Sequence, residues 1–215
     1  MSTTTAIPLT VLIDWLDRFR DAVVAQRDWL TELDSAIGDA DHGINMARGM
    51  AAVGSLIDTA EADAIGPLFK KVGMTLVSSV GGASGPLYGT FFMKFGTAAA
   101  TTDVLELSQL AASLRAGLDG IVARGKAELG DKTMVDAMSP ALDALDAGIA
   151  AGDSVTACLS AAAAAAAGGR DATIPLVARK GRASYLGERS AGHQDPGATS
   201  TAYLFETLAQ AVNGG

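Results

Sequence analysis

The sequence predicts an all-α protein, folded as a single domain of about eight helices. Apolar residues recur at spacings of three and four over long stretches, which is the pattern of helices with one buried face. Residues 157–167 are mostly alanine, the residue with the highest helix propensity. Strand signals are weak, because no long run of β-branched residues alternates with polar ones and no hairpin turn separates two such runs. A chain of 215 residues without repeat or linker is expected to form one domain, 1–215.

The helices follow in order from this periodicity. The first is predicted between Leu9 and Leu33, and a second long one between Val104 and Val122. Further helices are predicted at 45–60, 65–79, 86–99, 134–150, 154–167 and 199–213. The N-caps expected for the last two helices are Asp153 or Ser154, and Thr199 or Ser200.

Composition narrows the classes of function. The formal net charge is -8, which argues against nucleic acid or an anionic membrane surface as a partner. One cysteine, Cys158, excludes an internal disulfide and is compatible with a reducing compartment. The chain begins without a basic, apolar leader, and no apolar run is long enough to span a bilayer. The expected location is the cytoplasm.

The segment DSAIGDADHGIN, residues 34–45, is the most informative in the chain. It brings together Asp34, Asp39 and Asp41, and two such charges 4 Å apart repel by about 4 kcal/mol at an effective dielectric near 20. A solvated turn in which aspartates cap the next helix is the ordinary alternative. The spacing does not match an EF-hand loop, which needs a third acidic residue and a glutamate at position twelve. Oxygen ligands without cysteine therefore predict magnesium.

Glycine-rich segments separate the predicted helices, and one of them, GGASGP at 81–86, precedes a helix. Glycine N–H groups and the Ser84 hydroxyl at a helix N-terminus form a site for an anion. A tight turn between two helices is the alternative. Because no strand precedes the segment, neither the Rossmann nor the kinase glycine loop applies.

Three further features have weaker signals. The segment GKAELGDKT at 125–133 nearly matches a P-loop, but Asp131 interrupts the motif and no strand precedes it. Lys132 and its neighbours remain candidates for contact with a ligand. His42 and His193 lie in glycine loops, where a histidine is usually an orienting or surface residue. Arg182 is expected to face a phosphate or a nucleobase, and the alternative is a solvated basic patch with Arg179 and Lys180.

Several motifs together resemble the nucleotide-binding L subunits of bacterial dihydroxyacetone kinases. They are GDADHGINM, GGASGPLYGTFF, GDKTM, KGRASYLGERS and GHQDPGATS. They run in the same order from about residue 30 to the C-terminus. The resemblance implies a barrel of eight antiparallel helices, with a nucleotide bound by the loops at one end.

The resemblance also implies roles for individual residues. Asp34, Asp39 and Asp41 match the carboxylates that hold two Mg²⁺ ions, which bridge the phosphates of ADP or ATP. The residues that match nucleotide-facing positions are His42, Gly43, Ile44, Asn45, Ala83, Ser84, Gly125, Met134, Arg182, Asp195, Pro196 and Gly197. No side chain of this chain is expected to act as a covalent catalyst.

The partners implied are other subunits. In the family, a separate K subunit binds dihydroxyacetone covalently, and a phosphohistidine on an M subunit of the phosphotransferase system recharges the bound ADP. Other members use free ATP as donor. A homodimer is compatible with the resemblance. Two alternatives remain open: a kinase half for another small ketose such as a tetrulose, and a nucleotide-sensing partner of a regulator.

Overall fold

The computed structural model describes residues 6–214; residues 1–5 and Gly215, the ends of the predicted domain 1–215, lie outside the described part. The all-α prediction is confirmed, since helices dominate and the strands have three residues each. The elements in chain order are β1 (Ala6–Pro8), α1 (Leu9–Ala25), α2 (Arg27–Ile37), α3 (His42–Thr59), α4 (Ile65–Ser79), α5 (Ser84–Ala99), β2 (Val104–Glu106), α6 (Leu107–Gly125), α7 (Met134–Ala151), α8 (Val155–Ala172), a 3₁₀ segment (Arg182–Ser190) and α9 (Pro196–Asn213).

Eight of the helices form a closed ring. Each helix from α3 to α9 packs against the next one in the chain, and α1 packs against both α3 and α9. Most connections between successive ring helices are short, which places these helices antiparallel, as the resemblance predicts. Helix α2 stands outside the ring and packs against α3 and α9. The two strands pair antiparallel, with Ile7 opposite Leu105.

Aromatic side chains fill the ring. Trp15 is fully buried, and its ring lies 5.8–6.1 Å from those of Phe69, Phe92 and Phe95. Its indole N–H donates to the carbonyl oxygen of Leu204 on α9 at 2.8 Å. The tryptophan thus has an apolar environment for its ring and a partner for its one polar atom.

Glycines let α4 and α5 pack closely. A Cβ on Gly73 would lie 2.6 Å from the carbonyl oxygen of Gly89, and a Cβ on Gly96 would lie 2.6 Å from that of Gly66. Only hydrogen fits between these backbones, so the sequence at these positions sets the distance between the two helices.

Two of the predicted long helices differ from the prediction: one is interrupted and the other begins later. The helix expected from Leu9 to Leu33 ends at Ala25, and a second one begins at Arg27 after a non-helical Gln26. The apolar period continues across the break without glycine or proline, so the sequence pattern does not show where α2 leaves the ring. The helix expected from Val104 begins at Leu107, because residues 104–106 pair with β1 instead.

Helix ends were predicted with mixed success. Ser154 caps α8, accepting from the N–H of Ala157 at 3.2 Å. The predictions for α9 were wrong: the helix begins at Pro196 and is capped by Asp195, while Thr199 and Ser200 are buried within it. The Asp-Pro pair is the local signal for this start.

Across residues 6–214, the helices lack the combination of length and apolar character that crossing a membrane requires.

The contact between α4 and α5 gives a testable prediction. We expect Gly73→Ala to lower the free energy of unfolding by about 1–3 kcal/mol, because its methyl group would meet backbone atoms that cannot turn aside. Gly168→Ala is the matched control, since this exposed helical glycine has open space around a Cβ; the change should stabilise by about 0.5–1 kcal/mol. Urea denaturation measures both. Equal effects of the two substitutions would contradict the close packing.

Candidate functional site

Four connections between helices meet at one end of the molecule and enclose a cleft. They are residues 38–41, 80–83, 126–133 and 173–195. Every second connection of an up-and-down ring lies at the same end, so these sequence-distant loops become neighbours. The other end holds the two strands and the remaining turns.

The cleft gathers most of the predicted site residues. Those that line it are Asp34, Asp39, Asp41, His42, Ala83, Ser84, Met134, Arg182, Asp195, Pro196 and Gly197. The predicted residues outside its lining are Gly43, Ile44, Asn45 and Gly125. Lining residues that the motifs did not assign to the site include Ile37, Leu87, Tyr88 and Lys180.

The three aspartates come from different positions along one turn. Asp34 lies in the last turn of α2, Asp39 in the loop and Asp41 immediately before α3. One carboxylate oxygen from each lies within 4.8 Å of the others. Asp34 Oδ2 also accepts the backbone N–H groups of Asp41 at 2.8 Å and His42 at 3.1 Å. This carboxylate therefore holds the loop and the start of α3 in place.

Glycines allow this turn to fold tightly. A Cβ on Gly38 would lie 2.0 Å from Asp34 Oδ1, and one on Gly43 would lie 1.9 Å from the carbonyl oxygen of Arg27. Gly43 is therefore required where α3 packs on the beginning of α2, behind the cleft surface. The two glycines of the motif thus serve the geometry of the aspartates.

The aspartate cluster suits a hard divalent cation. Its three carboxylates converge, and oxygen is the ligand that Mg²⁺ prefers. The capping alternative is not found for Asp39 or Asp41, since neither side chain caps α3. The guanidinium of Arg182 approaches the cluster, with Nε 2.9 Å from Asp39 Oδ2. This exposed cation offsets part of the negative charge.

His42 connects three of the helices that surround the cleft. Its Nδ1 lies 3.1 Å from Ser84 Oγ on α5, and its Nε2 lies 3.0 Å from Ser200 Oγ on α9. The hydroxyl of Tyr88 continues the chain, 2.8 Å from Ser200 Oγ. Burial lowers the pKa of His42 to about 4 and raises the pKa of Tyr88 to about 12. Both groups are neutral near pH 7.

Each ring nitrogen of His42 has a hydroxyl partner. In the neutral ring one nitrogen donates and the other accepts, and the hydroxyls of Ser84 and Ser200 can each take either role. The histidine acts as an orienting residue between α5 and α9.

The glycine loop brings the N-terminus of α5 to the cleft. A Cβ on Gly81 would lie 2.7 Å from Asn45 Oδ1, and Gly82 has φ +65°. The loop therefore passes close to α3 and then turns so that Ser84 begins α5. Asn45 is buried beneath it, accepting from Arg48 Nη2 at 2.8 Å. The first N–H groups of α5 are available to an anion.

The loop before α7 is built by its own polar side chains. Asp136 accepts the N–H of Thr133 at 2.7 Å, and the Thr133 side chain caps α7. Met134, the first residue of that helix, lines the cleft. Gly125 ends α6 behind Leu87, whose Cδ2 would lie 3.4 Å from a Cβ at this position.

Asp195 places α9 at the cleft. Its carboxylate accepts the N–H of Ala198 at 2.7 Å, and Gly197 lies beside Met134 of α7. Burial raises the pKa of Asp195 to about 7, against the opposing effects of the Ala198 N–H and Lys132. His193, in the same connection, lines a separate groove with Trp29.

The raised pKa of Asp195 predicts a dependence of stability on pH. The folded state keeps a proton that the unfolded state loses above pH 3.8, so Asp195 should lower the free energy of unfolding as pH rises towards about 7. The loss is at most about 4 kcal/mol. Asp195→Asn retains a capping oxygen but cannot ionise, so it should lack this decline.

Urea denaturation between pH 4 and pH 8 compares the variant with the wild type. The exposed Asp28 provides the control, Asp28→Asn, which should keep the slope of the wild type. An Asp195→Asn variant that parallels the wild type across this range would contradict the prediction.

Comparison with known proteins identifies the family. The model of the DAK2 domain matches residues 36–210. The chain is 48% identical to the ADP-binding subunit DhaL of a PEP-dependent dihydroxyacetone kinase from Escherichia coli, over 94% of this chain and 97% of that protein. It is 45% identical to the ADP-binding subunit DhaL of a PTS-dependent dihydroxyacetone kinase from Lactococcus lactis, over 96% and 99%. A D-erythrulose kinase from Mycolicibacterium smegmatis is 34% identical over 91% of this chain, which spans 34% of that enzyme.

A solved structure has the same fold. The dihydroxyacetone kinase of C. freundii in complex with AMP-PNP and Mg²⁺ matches with a TM-score of 0.72 and 28% identity. The match covers 94% of this chain and 34% of that longer one. Sequence and fold agree: the chain belongs to the DAK2 domain family, together with the DhaL subunits of bacterial dihydroxyacetone kinases.

Proposed function

We propose that the cleft binds a magnesium complex of ADP or ATP and that the chain is the phosphotransfer subunit of a dihydroxyacetone kinase. The observation that carries this proposal is the convergence of three carboxylate oxygens, within 4.8 Å of one another, beside the N-terminus of α5. Cations on one side and backbone N–H groups on the other are the two means by which proteins hold phosphates.

Asp34, Asp39 and Asp41 would hold the metal. Three carboxylates contribute about -3, two Mg²⁺ ions about +4 and ADP about -3, so the metals let an acidic cleft accept an acidic ligand. When bound, magnesium supplies charge that stabilises the phosphoryl group during transfer. Asp34 has a second task, because it also fixes the backbone of Asp41 and His42.

The remaining predicted residues would surround the nucleotide. Ala83 and Ser84 present the start of α5 to the phosphates, with His42 holding the Ser84 hydroxyl in place. Gly43, Ile44 and Asn45 lie outside the lining of the cleft and would act indirectly, by supporting the loops in front of them. Among the residues beyond the phosphates, Gly125 and Met134 would contact adenosine, and Arg182 with Asp195, Pro196 and Gly197 would close the site.

This chain would contribute positioning to the reaction. Phosphoryl transfer needs the donor and acceptor oxygens in line and charge stabilisation around the moving group, with little covalent chemistry from the protein. His42 is neutral and both of its ring nitrogens have partners. It therefore suits the orientation of Ser84 better than the transfer of a proton.

The acceptor would be bound by another subunit. The relatives that this chain matches over nearly their whole length are named as ADP-binding subunits, which supports a division of labour. A K subunit would present dihydroxyacetone at the open end of the cleft, and a phosphohistidine on an M subunit would recharge the bound ADP. We place the assembly in the cytoplasm and allow for a homodimer of this chain.

The similarity to an erythrulose kinase makes erythrulose a second candidate for the acceptor. That enzyme shares 34% identity with this chain, and its product would also be a ketose phosphate. The higher identity to DhaL subunits, 45–48%, favours dihydroxyacetone. Selection between the two ketoses would lie in the K subunit.

The metal assignment predicts the effect of Asp39→Ala. We expect the affinity for ADP in the presence of Mg²⁺ to fall about 100-fold, or ~2.7 kcal/mol, because a ligand of the cation is lost. With EDTA, the variant should bind ADP at least as well as the wild type, since a negative charge beside the phosphates is removed. Calorimetric titration measures both affinities.

Asp28→Ala is the matched control. Asp28 also pairs with an arginine, Arg27 at 2.8 Å, but lies outside the cleft, so its replacement should leave Mg-ADP binding unchanged. Unchanged Mg-ADP affinity in Asp39→Ala would refute the metal assignment.

Reconstitution tests the activity itself. Purified chain with a K subunit should form dihydroxyacetone phosphate when supplied with the phosphohistidine M subunit. ADP that stays with the protein through gel filtration indicates the phosphohistidine donor. Protein that carries no ADP and forms product with ATP indicates exchange of the nucleotide. Absence of product with both donors, from protein with the expected helical circular dichroism, would reject the proposed function.

A further inference from the structure

Lys132 is a buried cation whose charge the proposed reaction does not use. Its side chain is 1% exposed, although it belongs to the loop between α6 and α7. The ammonium donates to the carbonyl oxygens of Thr173 at 2.7 Å, Leu176 at 3.1 Å and Ile174 at 3.3 Å, and to that of His193. Three N–H bonds thus face four acceptors, and no proton remains for a phosphate.

These carbonyls belong to the longest connection of the ring, residues 173–195. Three of them form the turn that follows α8, and the fourth lies two residues before Asp195. The hydroxyl of Thr173 accepts the N–H of Asp195 at 3.0 Å. Lys132 therefore fastens both ends of the connection, whose middle carries Arg182 to the cleft.

The arrangement of oxygens is that of a cation site. Carbonyl dipoles directed at one point repel one another unless a positive charge lies between them, and rings of backbone carbonyls replace the hydration shell of monovalent ions such as K⁺. Here the ammonium of the chain itself occupies this position. Burial lowers the pKa of Lys132, while Asp195 opposes that effect.

We propose that Lys132 is a positioning residue, an internal cation that holds segment 173–195 against the cleft. We infer in addition that the four carbonyls form a site for K⁺ or NH₄⁺ when the lysine side chain is removed. The first part rests on the proposed binding of Mg-ADP in this cleft. The second part concerns the fold and does not depend on a nucleotide.

Lys132→Ala tests the proposal, with Lys126→Ala as a matched control. Both lysines have a left-handed backbone, φ +64° for Lys132 and +50° for Lys126, so alanine carries similar strain at either position. Lys126 is exposed. In a buffer whose only cations are lithium and magnesium, Lys132→Ala should raise the dissociation constant for Mg-ADP about tenfold, or about 1.4 kcal/mol. Lys126→Ala should leave it unchanged.

Rescue by ions separates positioning from a general loss of stability. Replacing Li⁺ by K⁺ or NH₄⁺ at equal ionic strength should restore Mg-ADP affinity and raise the melting temperature of Lys132→Ala. The wild type and Lys126→Ala should not respond. Lys132→Met should not respond either, because its side chain fills the space without supplying charge. Lys132→Ala could fail to fold in the lithium buffer. In that case, addition of K⁺ or NH₄⁺ should recover the folded protein.

The outcomes test the positioning role of Lys132 and the cation site separately. Wild-type affinity for Mg-ADP in Lys132→Ala overturns the positioning role. A melting temperature or a folded yield that is the same in Li⁺, K⁺ and NH₄⁺ overturns the cation site. A wild type that does not bind Mg-ADP counts against the proposed function alone, since the melting experiments need no nucleotide.

Discussion

Trp15 near the start of the described chain donates its indole N–H to the carbonyl of Leu204 near its end, at 2.8 Å. This buried contact is part of the packing of α1 on α9 that closes the helix ring. The candidate site depends on that closure, because it brings the connection before α9 next to the loop before α3. Without it, His42 would not reach Ser200, and the aspartates would lack the wall formed by Arg182 and Asp195.

Charge is distributed unevenly within the cleft. The carboxylates of Asp34, Asp39 and Asp41 lie on one side of the cleft. The cations on its lining differ in their partners and in their exposure. The ammonium of Lys132 donates all its hydrogen bonds to backbone carbonyl oxygens, and Arg182 is largely exposed and pairs with Asp39. His42 is neutral. Lys180 is the third cation on the lining. At the aspartates, three carboxylates meet one guanidinium, so this side of the cleft is negative and a phosphate ligand beside it requires added cations. This requirement is the physical reason for associating the aspartates with magnesium.

Local patterns predicted the helices better than their ends. Ser154, one of the two residues predicted to cap α8, is the cap, and the sequence could indicate it because its hydroxyl acts on the adjacent backbone. The break at Gln26 was missed because the apolar period is unchanged there, and only the packing of α2 on α3 and α9 requires it. Strand β2 was missed since three residues acquire strand geometry only by pairing with β1, about 100 residues away.

The sequence by itself determined the helical class, the acidic turn at 34–45 and the segments that approach the cleft, because these depend on periodicity and on residue types close together in the chain. Only the tertiary structure decided what each residue does there. It turned Gly43 and Asn45 into supports behind the cleft, joined His42 to Ser84 and Ser200, and directed the Lys132 ammonium to backbone carbonyl oxygens. Such roles depend on contacts between segments 16 to 158 residues apart, which tertiary packing creates and no local pattern contains.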